Sequence, residues 1–167
     1  MADTGISLMA HAIQYPAAEG ISTGPVKTLF LSFYDFVRRE DLCRAYHEVL
    51  AKKFSAKEFS KQGKHDRIYS KTDWVVAGLD DLDQPVSFAL IVELGCKWII
   101  EYVMTNPENE GTGIGSAVTA RIFHAAYERA FTSNERILFV VLDCKEHNVE
   151  FYKKKGLKVL ATAATKG

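Results

Sequence analysis

Cysteine is scarce and scattered in this chain: Cys43, Cys96 and Cys144 are the only three among 167 residues. An odd number at wide spacing excludes the disulfide framework of a small secreted domain and the close ligand pairs of a zinc site, and it suits free thiols in a reducing compartment. Net charge is missing too, since 21 lysines and arginines balance 21 aspartates and glutamates. No whole-molecule field therefore draws the chain to nucleic acid or to a membrane surface. No apolar run approaches the length of a membrane span, and residues 1–26 lack a basic segment followed by a long apolar stretch, so the expectation is a soluble, cytoplasmic protein. The five histidines, at positions 11, 47, 65, 124 and 147, show no metal-ligand spacing. No metal is expected, and no Ser-His-Asp or Cys-His order marks a nucleophile.

The length fits one domain, burying roughly two thirds of the surface its unfolded form exposes. Residues 1–26 mix Ala, Gly, Pro and Ser around Ile6, Leu8, Met9 and Ile13 without a sustained period. This predicts a loosely ordered extension ahead of a domain over 27–167. The β-branched, aromatic and aliphatic run 28–34 reads as a strand. A helix should follow, with Glu40 and Asp41 in its first turn and an apolar stripe of Leu42, Tyr46, Val49, Leu50 and Phe54. Residues 52–71 carry seven lysines and arginines against Glu58 and Asp66. This strong local charge bias reads either as a helix and loop meeting an anionic ligand or as a solvated surface.

Two apolar runs, 73–78 and 86–94, flank the polar turn Asp80-Asp81-Leu82-Asp83-Gln84-Pro85 and read as an antiparallel pair. A third strand, 98–105, is broken by Asn106-Pro107-Glu108-Asn109. A glycine cluster, a helix over 116–131 and an apolar strand over 136–143 come next. A short helix over 148–155 stops at Gly156, and 157–161 can add a last strand. The order β-α-α-β-β-β-α-β-α-β is that of an α+β fold, a mixed and mostly antiparallel sheet flanked by helices.

The most informative segment is Pro107-Glu108-Asn109-Glu110-Gly111-Thr112-Gly113-Ile114-Gly115-Ser116, set between a strand and a helix. Three glycines at alternate positions let backbone approach a ligand and leave N–H groups pointing outward at a helix N-terminus, where an anion such as a diphosphate is favoured. A P-loop is excluded, because no Lys follows the glycines in the required place. A dinucleotide fingerprint stays open, with Asp143 at the next strand end to meet a ribose. Against it, a polar insert separates the strand from Gly111, and Ser116 or Val118 stands where the third glycine belongs.

The run Pro-Glu-x-x-Gly-x-Gly-Ile-Gly-Ser, followed about thirty residues later by the strand 137–142 and then by Phe151-Tyr152-Lys153-Lys154-Lys155-Gly156-Leu157, resembles the GNAT superfamily of N-acetyltransferases. The stretch from Leu142 to Lys154 is locally most similar to glucosamine-6-phosphate N-acetyltransferases. The resemblance implies acetyl-CoA as acyl-donor substrate, an amine acceptor of unidentified type, direct transfer between the two, and homodimerisation as in other members. It implies that Glu110, Gly111, Thr112, Gly113, Ile114, Gly115 and Ser116 hold the diphosphate. Glu110 departs from the family pattern, which has Arg or Gln at that place, so a carboxylate stands beside an anion unless it turns outward or lysines such as Lys153 to Lys155 offset it.

On the same footing, Tyr152 matches the tyrosine that protonates the leaving thiolate, since a phenol is protonated at neutral pH. The bland reading is a tyrosine packed beside Phe151. Val103, Met104 and Thr105 would splay from the neighbouring strand and offer main-chain groups to the pantetheine and the acetyl carbonyl. Asn148 would contact the pantetheine arm, or else cap the last helix. Glu101, a lone acid in an apolar strand, is the candidate base; alternation puts it on the face of Val103 and Thr105, where burial would raise its pKa. Cys144 reads as packing and His147 as a solvated residue. The reading from another class is a catalytically silent acyl-CoA-binding or dinucleotide-binding module.

Overall fold

The chain folds, in a computed structural model that describes residues 5–13, 26–53, 62–132 and 137–164, around one seven-stranded sheet. Its elements are β1 (Gly5–Ala12), β2 (Thr28–Ser32), α1 (Phe33–Val37), α2 (Glu40–Lys53), α3 (Gln62–Lys71), β3 (Trp74–Leu79), β4 (Pro85–Leu94), β5 (Lys97–Thr105), α4 (Ile114–Thr132), β6 (Phe139–Lys145), α5 (Val149–Lys154) and β7 (Lys158–Ala164). The strands lie in the order β2-β3-β4-β5-β6-β1-β7. Every pairing is antiparallel except that of β5 with β6. The expected mixed, mostly antiparallel sheet flanked by helices is the one observed.

The two faces of the sheet explain the sequence pattern. Val76, Ala89, Ile91 and Trp98 pack with Val118, Ile122 and Phe123 of α4, while Val75, Ala77, Phe88 and Leu90 pack with Leu42, Tyr46 and Val49 of α2. Strands covered on both sides need apolar residues at consecutive positions, which is why β3 and β4 read as unbroken runs. Gly78 permits the close approach of α4: a Cβ there would lie 2.7 Å from Val118 Cγ2 and 2.8 Å from Ile114 Cγ2. The start of α4, and the loop in front of it, are thereby pinned over β3.

The expectation of a loosely ordered extension over 1–26 is corrected for its first part. β1 lies inside the sheet, paired with β6 on one side and β7 on the other, and Met9 is fully buried. The sequence concealed it because both faces carry apolar residues: Ser7, Met9 and His11 alternate inward, whereas Ile6 and Leu8 remain partly exposed. Burying a methionine of this kind contributes about 1.5–3 kcal/mol. Residues 14–25 and Phe54 fall outside the described residues. The predicted strand 28–34 ends at Ser32, whose hydroxyl accepts from the Asp35 N–H and so starts α1.

Candidate active site

The parallel ladder between β5 and β6 covers Lys97–Phe139 to Ile100–Leu142 and no further. Beyond it, β5 continues to Thr105 against β4, and β6 continues to Lys145 against β1. The two strands therefore diverge and open a wedge in the middle of the sheet. The divergence coincides with a bulge: the register steps from Leu90–Tyr102 to Ile91–Ile100, making Glu101 the inserted residue.

The bulge resets which groups face the wedge. Asn106 N–H donates to the Val86 carbonyl at 2.7 Å, and Phe88 stands opposite Met104. By the alternation of an antiparallel pair, the main-chain groups of Met104 face β4 and those of Val103 and Thr105 face the wedge. The Met104 carbonyl also accepts from Ser87 Oγ at 3.0 Å, and its side chain is buried on the α2 side. Of the three residues expected to offer main-chain groups, Met104 is thus turned away. The bulge also overrides the counting that placed Glu101 on one face with Val103 and Thr105, because Ile100 and Val103 both pack toward α4 while Tyr102 and Met104 pack toward α2. Glu101 is half-buried, and after burial its charge is the second cause raising the Tyr102 phenol above its usual range.

At the mouth of the wedge, Asn106 Oδ1 accepts from the Glu108 N–H and begins a single 3-10 turn, Pro107–Asn109. Gly111 and Gly113 follow at φ +78° and +86°, and a Cβ on either would meet nothing within 4 Å, so the loop presents bare backbone to open space. Thr112 is tied down by its hydroxyl, which donates to the Asn109 carbonyl. Ile114, buried, starts α4, two residues earlier than predicted, and the first intrahelical bond runs from Ala117 N–H to the Gly113 carbonyl at 3.0 Å. The N–H groups of the first turn, including Gly115 and Ser116, have no acceptor within the helix. A Cβ on Gly115 would sit 3.2 Å from Thr105 Oγ1, which sets the first turn of α4 directly beside the end of β5.

Glu110 does not stand bare beside this loop. Its carboxylate pairs with Lys53 of α2, and Glu108 pairs with Lys52 at 3.5 Å. The sequence pointed to Lys153–Lys155 as the offsetting cations; instead Lys153 bridges to Glu150 at 3.4 Å and Lys155 lies over the Phe151 ring at 5.4 Å. Lys52 and Lys53 are site residues that motif reading missed, although the charge excess of 52–71 was a signal for them.

α5 follows the end of β6. Tyr152 is half-buried and packs against the α4-side core, to which Val103 also belongs. Burial, and then the neighbouring Cys144 thiol, push its phenol up to about 12. Cys144 is buried against Met9 Sδ at 3.5 Å and serves packing. Asn148 is exposed at the N-terminal end of α5, and its side chain makes no capping bond; His147 beside it is exposed as well. On the α2 side, Tyr46 is fully buried with its hydroxyl 2.6 Å from His65 Nε2, and the His65 ring lies 5.7 Å from that of Tyr102. Among the described residues no group of His, Cys, Asp or Glu is arranged to hold a metal ion, and no helix is long and apolar enough to cross a membrane.

The seven-stranded, mostly antiparallel sheet flanked by helices, with its one parallel strand pair splaying apart, is the GNAT fold, and the comparison with solved structures identifies this chain as having it. It is similar to a GCN5-related N-acetyltransferase from Sphaerobacter thermophilus, at 19% identity and TM-score 0.61 over 97% of this chain and 50% of that one. It is also similar to glucosamine-6-phosphate N-acetyltransferase from Arabidopsis thaliana, at 16% identity and TM-score 0.54 over 85% and 97% of the two chains. An acyl-CoA N-acyltransferase from Pseudomonas aeruginosa aligns at 16% identity and TM-score 0.61 over 78% and 87%. The chain spans only half the length of the Sphaerobacter protein. No family profile and no curated protein matches the sequence.

Proposed function

We propose that the chain is an N-acetyltransferase that moves the acetyl group of acetyl-CoA directly to an amine. The observation that carries this reading is the wedge that opens between β5 and β6 beyond Ile100 with an open glycine loop at the end of β5; Tyr152 stands on the helix that follows β6. The residues present fit the donor. Backbone at 111–116 offers N–H groups and a helix N-terminus to a diphosphate, with no Cβ in the way at 111 or 113. The outward main-chain groups of Val103 and Thr105 suit the amides of a pantetheine arm laid in the wedge, and Asn148 lies exposed beyond the end of β6 to contact it. Acetyl-CoA supplies a thioester whose carbon an amine can attack.

For transfer, Glu101 takes the proton that the acceptor nitrogen sheds, directly or through water. Main-chain N–H at the bulged end of β5 stabilises the oxygen on which negative charge develops. Tyr152 donates its hydroxyl proton to the departing sulfur as the carbon–sulfur bond breaks, and its elevated pKa keeps that proton in place at neutral pH. The products are the acetylated amine and free CoA. A small amine is favoured over a protein amine as acceptor, and phosphorylated amines are the first to screen, because 52–71 is strongly basic and the Arabidopsis neighbour is named for an amino-sugar phosphate.

The test is release of CoA thiol from acetyl-CoA across a panel of small amines, amino-sugar phosphates and peptides. Turnover with one amine class, lost in Tyr152→Phe with folding intact, supports the reading; saturable acetyl-CoA binding without turnover on any amine contradicts the catalytic part of it.

A further inference from the structure

We infer that Lys53, at the C-terminal end of α2, is a positioning residue for the diphosphate: it neutralises Glu110 so that an acidic loop can hold an anion. This rests on the acetyl-CoA reading above and goes beyond it by bringing a residue from another element into the site. The turn Pro107–Asn109 places two carboxylates, Glu108 and Glu110, immediately before the glycines. Each meets one member of an adjacent lysine pair on α2, Glu108 with Lys52 at 3.5 Å and Glu110 with Lys53. The helix end favours cations, so Lys52 and Lys53 are well placed there in their own right.

The two pairs are not equivalent. The Lys53 side chain is 33% exposed and that of Glu108 78%, with Lys52 and Glu110 between them. Lys53 is therefore the more sheltered lysine, and its partner is the acid one residue before Gly111. An uncompensated carboxylate at that point would repel each approaching phosphate oxygen, and only partial screening would reduce the effect over so short a distance. With Lys53 in place, the loop meets the diphosphate as a neutral rim around outward N–H groups. The positive charge that offsets Glu110 comes from α2, 57 residues earlier in the chain.

The experiment is a double-mutant cycle on acetyl-CoA affinity, measured by calorimetry on the full chain with wild type, Lys53→Met, Glu110→Gln and the pair combined. Lys53→Met is expected to weaken binding about threefold to tenfold, the size of one partly screened like-charge contact. Combined with Glu110→Gln, the same change is expected to cost less than about twofold, and Lys53→Arg, which keeps the charge, restores the affinity. A thermal melt of each variant shows that the fold is retained. No loss in Lys53→Met overturns the inference; an equal loss in both backgrounds also overturns it, because Lys53 would then act on phosphate directly. A wild-type chain that binds no acetyl-CoA overturns the underlying reading instead, and that arm is read before the variants.

Discussion

Tyr152 and Glu101 carry opposite halves of the proposed proton traffic, Tyr152 as acid and Glu101 as base. Burial holds the Tyr152 phenol up to about 12, so the proton it must donate stays bound throughout the neutral and mildly alkaline range. The rate with a saturating amine should therefore show no loss on the alkaline side attributable to Tyr152 below about pH 10; a decline with a midpoint near 8 that disappears in Tyr152→Phe would contradict the assignment. Tyr152→Phe should lower kcat about 10²-fold or more with KM for acetyl-CoA changed little, as expected when a group acts only in the transition state. Tyr152 and the glycine loop were legible because their residues stand in a fixed local order. The pairing of Glu110 was not, since its partner is brought up by the packing of α2 rather than by neighbours in the chain.

At the level of elements, the site is held by how α4, β3 and β1 meet. Gly78 admits α4 against β3, and any side chain there collides with Val118 and Ile114, the residue that starts the helix. Gly78→Val should destabilise the chain by about 1–3 kcal/mol in denaturant unfolding, and it should weaken acetyl-CoA binding as well because the glycine loop rides on that helix. The helix and strand periods gave α2, the β3-β4 hairpin, β5 and α4 from sequence, since each has one clear apolar face or a long buried run. They did not give β1, whose inward residues are Ser7, Met9 and His11. His11 shows what that strand does: its ring bonds the Gly156 carbonyl at 2.9 Å and the Tyr127 hydroxyl at 2.6 Å, linking β1 to α4 and to the end of α5. Met9→Ala should cost about 2–5 kcal/mol by the same unfolding assay; a change below 0.5 kcal/mol would mean that β1 is not part of the folded sheet. The bulge at Glu101 was equally hidden, because an inserted residue is defined by the partner strand's register and not by its own sequence.

Across the whole molecule, buried phenols set an alkaline limit to stability. Tyr69 and Tyr152 are pushed up to about 12, and Tyr46 is raised further in the same direction, all chiefly by burial. The unfolded chain releases these protons near pH 10 while the folded chain keeps them, so raising the pH from about 10 toward 12 favours unfolding, and the stability they contribute is complete below that window. Thermal melts should show the midpoint falling across pH 10–12, with a smaller fall in Tyr69→Phe. The global fold class was readable from element order alone, whereas the strand order was not, because it depends on the N-terminal strand inserting between β6 and β7. The most direct test of the proposed activity's foundation is calorimetric titration of the full chain with acetyl-CoA, with NAD in parallel and Gly113→Asp as control. Saturable acetyl-CoA binding that is lost or greatly weakened in Gly113→Asp, where φ is +86° and any side chain is strained, is the expected result; binding of NAD alone, or acetyl-CoA affinity unchanged by that substitution, would contradict the assignment of the glycine loop.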